Sequence, residues 1–196
     1  IRRGRRERVL GLEELVAMAR TTPAAQLPEL ARDCIELLVV QLEALAERIS
    51  AVERSIQEWH RRNEASQRLE TIPGIGVITA TAIAAVVTDI GMFQSARQFA
   101  AWLGLTPKLS GTGGKVQLGR ISKAGDRNLR RLLVLGATSL VHRARIEPEK
   151  APWIAALLAR RPARVVTVAV ANKLARIAWA VLSRAEVYRH TVVAAA

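Results

Sequence analysis

Residues 108–131 read KLSGTGGKVQLGRISKAGDRNLRR, a run with seven basic side chains and a single acidic one, Asp126. Small hydroxyls and glycines lie among the cations: Ser110, Thr112 and Ser122 beside Gly111, Gly113, Gly114 and Gly119. The combination suits work on a phosphodiester. Glycine lets backbone come close, Lys115, Arg120, Lys123 and Arg127 neutralise phosphate oxygens, and a hydroxyl attacks phosphorus or caps it. Lys108, Gly113, Gly114, Ser122 and Arg130 complete the phosphate-facing set. The competing reading is a solvated basic loop that holds phosphate and does nothing more, since no general base stands nearby in the sequence.

A second candidate lies upstream, at Leu69-Glu-Thr-Ile-Pro-Gly-Ile-Gly-Val-Ile-Thr-Ala80. An apolar helix end, a Pro-Gly-Ile-Gly turn and a small-residue helix over 79–87 form a helix-hairpin-helix pattern. Gly74 and Gly76 allow the tight turn, so amides at a helix N-terminus face outward to take a phosphate oxygen. Contacts of that kind position a duplex without reading its bases. The alternative is a hairpin that serves packing alone.

No metal site is expected. His60, His142 and His190 are far apart and lack ligand spacing, and Asp33, Asp89 and Asp126 are scattered singly. Cys34 is the single cysteine, which excludes an internal disulfide and points to a reducing, cytoplasmic setting.

The elements that must carry these residues are helical. From residue 30 to 69 there is no Gly or Pro, and Ile35, Leu38, Leu42, Leu45, Ile49, Val52, Ile56 and Trp59 recur at alternating spacings of three and four. That a/d seam predicts one long helix and a coiled coil between copies of the chain, hence a homo-oligomer. Ser95 is placed to cap a helix through residue 103. Residues 116–121 pair with 105–109 as a small glycine-rich hairpin. A helix starts at Asp126, with Leu129, Leu132, Leu133, Gly136, Ala137, Leu140 and Val141 on its buried stripe. Pro148 and Pro152 end it, a short helix covers 153–160, and a long, largely buried one covers 163–189. The expected organisation is a basic arm and linker over 1–28, a coiled-coil helix over 29–70, a helical domain over 71–190 and a tail over 191–196. The fold class is mainly all-α.

Bulk properties set the partners. The chain has 196 residues, half of them hydrophobic, and few aromatics, which favours helices packed on helices. Net charge is +13, so a polyanion is the expected partner, because clustered Lys and Arg release counterions condensed on phosphates. A membrane surface is the rival. The apolar runs at 165–170 and 177–182 are separated by Asn172, Lys173 and Arg176, so no bilayer span is expected. The chain begins with Ile1, not Met, and is read as a piece of something longer.

Several ordered motifs carry a family resemblance. They are Ile72-Pro-Gly-Ile-Gly76, Ala101-Trp-Leu-Gly-Leu-Thr-Pro107, Gly113-Gly-Lys115, Leu118-Gly-Arg-Ile-Ser-Lys123, Gly125-Asp126 and Leu129-Arg130. Together they resemble the C-terminal domain of the DEDD insertion-sequence transposases. These are the enzymes with a RuvC-like N-terminal domain, associated with bridge or seek RNA guides and related to Piv-type DNA invertases. The likeness covers at least residues 69–143. Pro152-Trp153, Leu157-Leu-Ala-Arg160 and Asn172-Lys-Leu-Ala-Arg176 extend it.

The resemblance implies an RNA-guided enzyme of the prokaryotic nucleoid that cuts and rejoins DNA through a two-part active site. A RuvC-like domain outside this chain would supply acidic residues and Mg2+, and this domain a serine that joins covalently to DNA. DNA and guide RNA are the implied partners, and no cofactor belongs to this part. The sequence departs from the family at the critical place. In register with Pro107 and Lys115, Gly111-Thr112 stands where Ser-Ser is expected, with Ser110 just upstream. Either Thr112 is the nucleophile, or Ser110-Gly111 supplies the serine–glycine pair, or the copy is inactive. A non-catalytic binding module and a coiled-coil scaffold are the alternatives to an enzyme.

Overall fold

The computed structural model describes Ala17, Thr21 and residues 28–112 and 115–189, with the backbone alone for 109, 110, 112 and 115–118. Most of the expected basic arm, Gly113, Gly114 and the 191–196 tail lie outside the described residues. Among those residues the helices are α1 (Glu29–Arg62), α2 (Glu64–Glu70), α3 (Val77–Val86), α4 (Ala96–Trp102), α5 (Arg127–Ile146), α6 (Pro152–Leu158) and α7 (Ala163–Arg184). A hairpin of β1 (Pro107–Thr112) and β2 (Lys115–Ile121) is the one sheet among them. The mainly all-α expectation holds. The chain falls into two units, residues 1–55 and 56–196.

The first unit holds most of α1. Its seam residues Leu38, Leu45, Ile49 and Val52 are 50–59% exposed, while Ile35 and Leu42 are half-buried. An apolar row on a long helix is thus left in water, at a cost set by roughly 25 cal/mol per Å² of apolar surface.

The helix does not run to residue 69. It stops at Arg62, where Asn63 leaves helical geometry (φ −114°, ψ 105°) and its side chain accepts from the Ser66 amide at 2.8 Å, starting α2. An Asn side chain can satisfy a free helix-start N–H as well as any cap, so it breaks a helix without Gly or Pro. The joint is pinned by His60, which is buried. Its Nδ1 lies 2.7 Å from Ser66 Oγ and its Nε2 2.8 Å from Glu70 Oε2.

The core of the second unit is built from Leu69, Ile72 and Ile75, Ile83 of α3, Phe99 of α4, then Leu103 and Leu105. On α5, Leu129, Leu133, Ala137, Val141 and Ala144 recur at steps of four and three and face α7. Helix α7 packs on α2, α4, α5 and α6. By length and composition it would cross a bilayer. Here it is a core helix: seven of its residues are buried, Asn172 Nδ2 donates to Leu105 O (3.2 Å), and Trp179 Nε1 donates to Phe93 O (3.1 Å).

The hairpin differs from the expected pairing. Leu109, Ser110, Gly111 and Thr112 pair with Leu118, Gln117, Val116 and Lys115, and Pro107 with Ile121. Residues 105 and 106 stay outside the strand, and the ladder runs to Thr112 opposite Lys115. Between the Pro107–Ile121 and Leu109–Leu118 pairs Lys108 alone faces both Gly119 and Arg120, so one extra residue is bulged into β2 opposite Lys108.

Candidate nucleic-acid interface

The hairpin grows from a turn that backbone–backbone contact fixes. Gly104 sits at φ +71°, where any Cβ would lie 2.7 Å from the Ala124 amide nitrogen. A Cβ on Gly125 would lie 1.6 Å from the Trp102 carbonyl oxygen. Ser122 N donates to Thr106 O (2.9 Å) and Lys123 N to Gly104 O (3.1 Å), closing the base of the hairpin. Lys123 is held at φ +56°, a left-handed conformation that costs a non-glycine residue about 1–2 kcal/mol. Asp126 caps α5 by accepting from Leu129 N at 2.7 Å.

Arg130 is half-buried beneath this turn. Its Nη1 donates to Leu103 O (3.0 Å) and Gly125 O (3.1 Å), with Asp126 O at 3.5 Å. Three carbonyls from two chain segments thus converge on one guanidinium, which gives Arg130 a positioning role in addition to the phosphate contact expected of it.

The other expected cations stand at the surface. Lys108 on β1, Arg120 on β2, Lys123 in the turn and Arg127 at the first position of α5 are exposed, and none forms an ion pair among the described residues. No acidic residue follows in the first turn of α5. A cation at a helix N-terminus opposes the helix dipole, so Arg127 adds positive field where the backbone is already positive. Ser122 is half-buried, its Oγ 3.5 Å from Ala124 N. Ser110 and Thr112 occupy β1 two places apart, opposite Gln117 and Lys115; the expected loop is therefore strand. Gly113 and Gly114 lie outside the described residues.

At the upstream candidate, α2 and α3 are joined by residues 71–76, with Ile75 N donating to Ile72 O at 2.9 Å. The two glycines have different duties. Gly74 (φ +86°) meets α5 at Gly136, where a Cβ on Gly136 would lie 1.9 Å from Gly74 O. Gly76 is the N-cap of α3, has no side-chain cap bond, and its Cβ position is open. The α3 start is thus bare, the condition under which helix amides serve an external anion. It opens on a groove of about 1130 Å³ lined by Gly76, Ile78, Thr138, Ser139, His142 and Arg143 among others.

Helix α5 carries both candidate regions without merging them. Arg130 holds the hairpin turn and Gly136 the upstream turn, and the ten residues from Asp126 to Gly136 span roughly 15 Å at 1.5 Å per residue. Two features escaped the sequence reading. Gly136 was assigned to a buried stripe, yet its use is close backbone approach. Thr138, Ser139, His142 and Arg143 line the groove on the helix face opposite that stripe, a position their periodicity does record. Among the described residues no group of three His, Cys, Asp or Glu is placed to hold a metal ion.

Comparison with known proteins agrees with this layout. Residues 66–153, which include both turns, the hairpin and α5, match the family described as Transposase IS116/IS110/IS902 family. A "Probable family 20 transposase" of Pseudomonas aeruginosa is 45% identical over 189 residues, 96% of this chain and 55% of that protein. A "Putative transposase y4pF/y4sB" of Sinorhizobium fredii is 46% identical over 165 residues (83% and 43%). The "Transposase for insertion sequence element IS1111A" of Coxiella burnetii is 36% identical over 178 residues (90% and 49%). The chain spans about half the length of these relatives. Residues 66–153 therefore match a Transposase IS116/IS110/IS902 family domain, set in a longer stretch similar to proteins named as transposases.

Proposed function

We propose that this chain is the DNA-handling half of an RNA-guided transposase or recombinase, and that a hydroxyl on β1 is its nucleophile. The observation that carries this reading is the exposed set Lys108, Arg120, Lys123 and Arg127, without ion pairs among the described residues, around a hairpin that bears Ser110 and Thr112. In the reaction, the hydroxyl oxygen bonds to phosphorus while a bridging P–O bond breaks. The hydroxyl proton ends on the departing DNA oxygen, and the phosphodiester is kept as a protein–DNA ester. Fixed cations stabilise the charge that builds on the phosphate oxygens. Arg130 and the close backbone contacts of Gly104 with residues 123–124 and of Gly125 with residues 102–103 hold the base of the hairpin, so that its cations and hydroxyls are placed before DNA arrives.

The bare start of α3 supplies a second phosphate contact, which is the duty of a helix-hairpin-helix unit. Following the family resemblance, the acidic half of the site and its Mg2+ are assigned to a RuvC-like domain outside this chain. A guide RNA, a homo-oligomer joined along the α1 seam as a coiled coil, and the prokaryotic cytoplasm and nucleoid complete the proposal.

The test joins this chain to its full-length protein with guide RNA and DNA and looks for a covalent adduct on denaturing gels. Ser110→Ala is expected to abolish the adduct and Thr112→Ala to weaken binding, because a primary hydroxyl is the less hindered nucleophile. The reverse result moves the role to Thr112. Strand exchange untouched by either change places the nucleophile elsewhere. DNA binding with no adduct in the parent protein would favour the non-catalytic module.

A further inference from the structure

A cleft on the second unit lies apart from the hairpin, the upstream turn and the α5 groove. It occupies about 410 Å³ between the end of α3, the Ile90–Met92 turn and α4. Its lining includes Val86, Met92, Phe93 and Trp102, with Asp89 and Gln98. The apolar surface is in water: Met92 is 72% exposed and Trp102 38%. Trp102 also stands on an aromatic stack, its ring 21° from parallel with Phe99 at 5.8 Å and 5.3 Å from Phe93. That packing fixes the indole in place, so it is a rigid platform.

The polar atoms around the cleft are half used. Gln98 Oε1 accepts from Gln94 N at 2.7 Å, which fixes the amide and leaves its NH2 without a partner among the described residues. Asp89 Oδ1 accepts from Gly91 N at 2.7 Å, and its other oxygen likewise has no partner there. An aliphatic side chain docking in such a cleft would use its apolar walls alone. A flat heterocycle uses the walls and also the donor and acceptor at their edge.

The same tryptophan ties the cleft to the phosphate-handling elements. Its carbonyl is the atom against which Gly125 packs, one residue before Asp126 and two after Lys123. Arg97, exposed on α4, precedes Gln98. An exposed aromatic platform is the part of a single-strand site on which bases stack, and Arg97 and Lys123, exposed and without an ion pair among the described residues, lie on the segments that adjoin it. The geometry points to this cleft as a pocket for one unpaired nucleobase, stacked on Trp102 and Met92 and read at its edge by Gln98 and Asp89. The free Asp89 oxygen selects a base with an exocyclic amine. This inference rests on the reading of the chain as a nucleic-acid-handling domain.

The experiment titrates the full 196-residue chain into a single-stranded oligonucleotide with one 2-aminopurine, which carries such an amine, and a dye at one end. Dye anisotropy reports binding, and 2-aminopurine emission reports stacking. Anisotropy is expected to rise while the base is quenched. Trp102→Ala should abolish the quench and weaken single-strand binding about tenfold, while binding to the matching duplex is unchanged. Because Trp102 supports Phe93 and Phe99, Met92→Ser is the second variant, with a smaller loss of quench expected and no loss of helix content. A bright base with undiminished anisotropy would overturn the pocket and leave phosphate binding standing. No anisotropy change at all would defeat both. If Met92→Ser leaves the quench intact but alters self-association in light scattering, the cleft takes a protein side chain and the inference is wrong.

Discussion

Replacing Gly125 with Ala is expected to be among the most damaging single-methyl changes in this chain. The added carbon would lie 1.6 Å from the Trp102 carbonyl oxygen, 2.6 Å from its carbon and 2.8 Å from the Leu103 carbonyl carbon. All three are backbone atoms, so no side chain can rotate aside. Reaching the 3.0 Å floor of real contacts requires a separation of about 1.4 Å (3.0 minus 1.6) between residues 102–103 and 125. Overpacking of that kind costs about 1–3 kcal/mol. The shift also pulls apart the Leu103 and Gly125 carbonyls that Arg130 bridges at 3.0 and 3.1 Å. Losing one charge-assisted hydrogen bond adds about 1.5–3 kcal/mol. The sum, roughly 2.5–6 kcal/mol, is a large share of the 5–15 kcal/mol typical of a folded domain. At about 2–4 °C per kcal/mol for a chain of this size, Tm should fall by roughly 5–24 °C. Circular dichroism melts measure it, with Gly76→Ala as control. There the new methyl meets nothing within 4 Å, so the loss is confined to a poorer N-cap, at most about 1 kcal/mol. If Gly125→Ala melts no lower than Gly76→Ala, the close backbone contact does not exist and the account of how the hairpin is anchored fails.

Replacing Lys115, Arg120, Lys123 or Arg127 singly with Ala should flatten the dependence of log binding constant on log salt by roughly one unit each. Filter-binding or anisotropy titrations at several salt concentrations measure the slope, and an unchanged slope would mean that the residue faces solvent. Leu42→Asp combined with Ile49→Asp should dissociate the oligomer in light scattering while the melting of the second unit is kept. A parent chain that stays monomeric at high concentration would show that the α1 seam has no second copy as its partner.

Much of the fold was legible because its signals are local. Ser95 and Asp126 announce their helices by cap chemistry, and both accept from the amide three residues on. The α5 stripe was readable from steps of three and four. What was missed depends on partners remote in sequence or on a rule applied too broadly. The stop at Arg62 carries no Gly or Pro to mark it, and its signal is Asn63 followed by Glu64, a helix start inside an otherwise unbroken helical pattern. The hairpin was set two to three residues off because glycine and serine have weak strand propensity, and the register is fixed by Thr112 opposite Lys115. At the candidate site the cations were found from composition, whereas Arg130 could not be separated from them. Its anchoring of Leu103 O spans 27 residues and has no trace in local pattern.

Helix α7 has a consequence for how the protein comes into being. The hairpin and both turns belong to residues 71–130, which leave the ribosome before α7 does. Their support, however, includes Val166, Val170, Leu174 and Val181, together with the Asn172 bond to Leu105 and the Trp179 bond to Phe93. Until those residues have been synthesised, the inward faces of α2, α4 and α5 have no cover, and a nascent chain exposes apolar surface of the kind that aggregates or engages chaperones. The proposed binding surface is therefore completed only once α7 has been made, by a segment that packs behind the helices carrying it. A copy of the gene cut short before residue 163 would yield every cation and hydroxyl of the site, yet no folded surface on which to hold them.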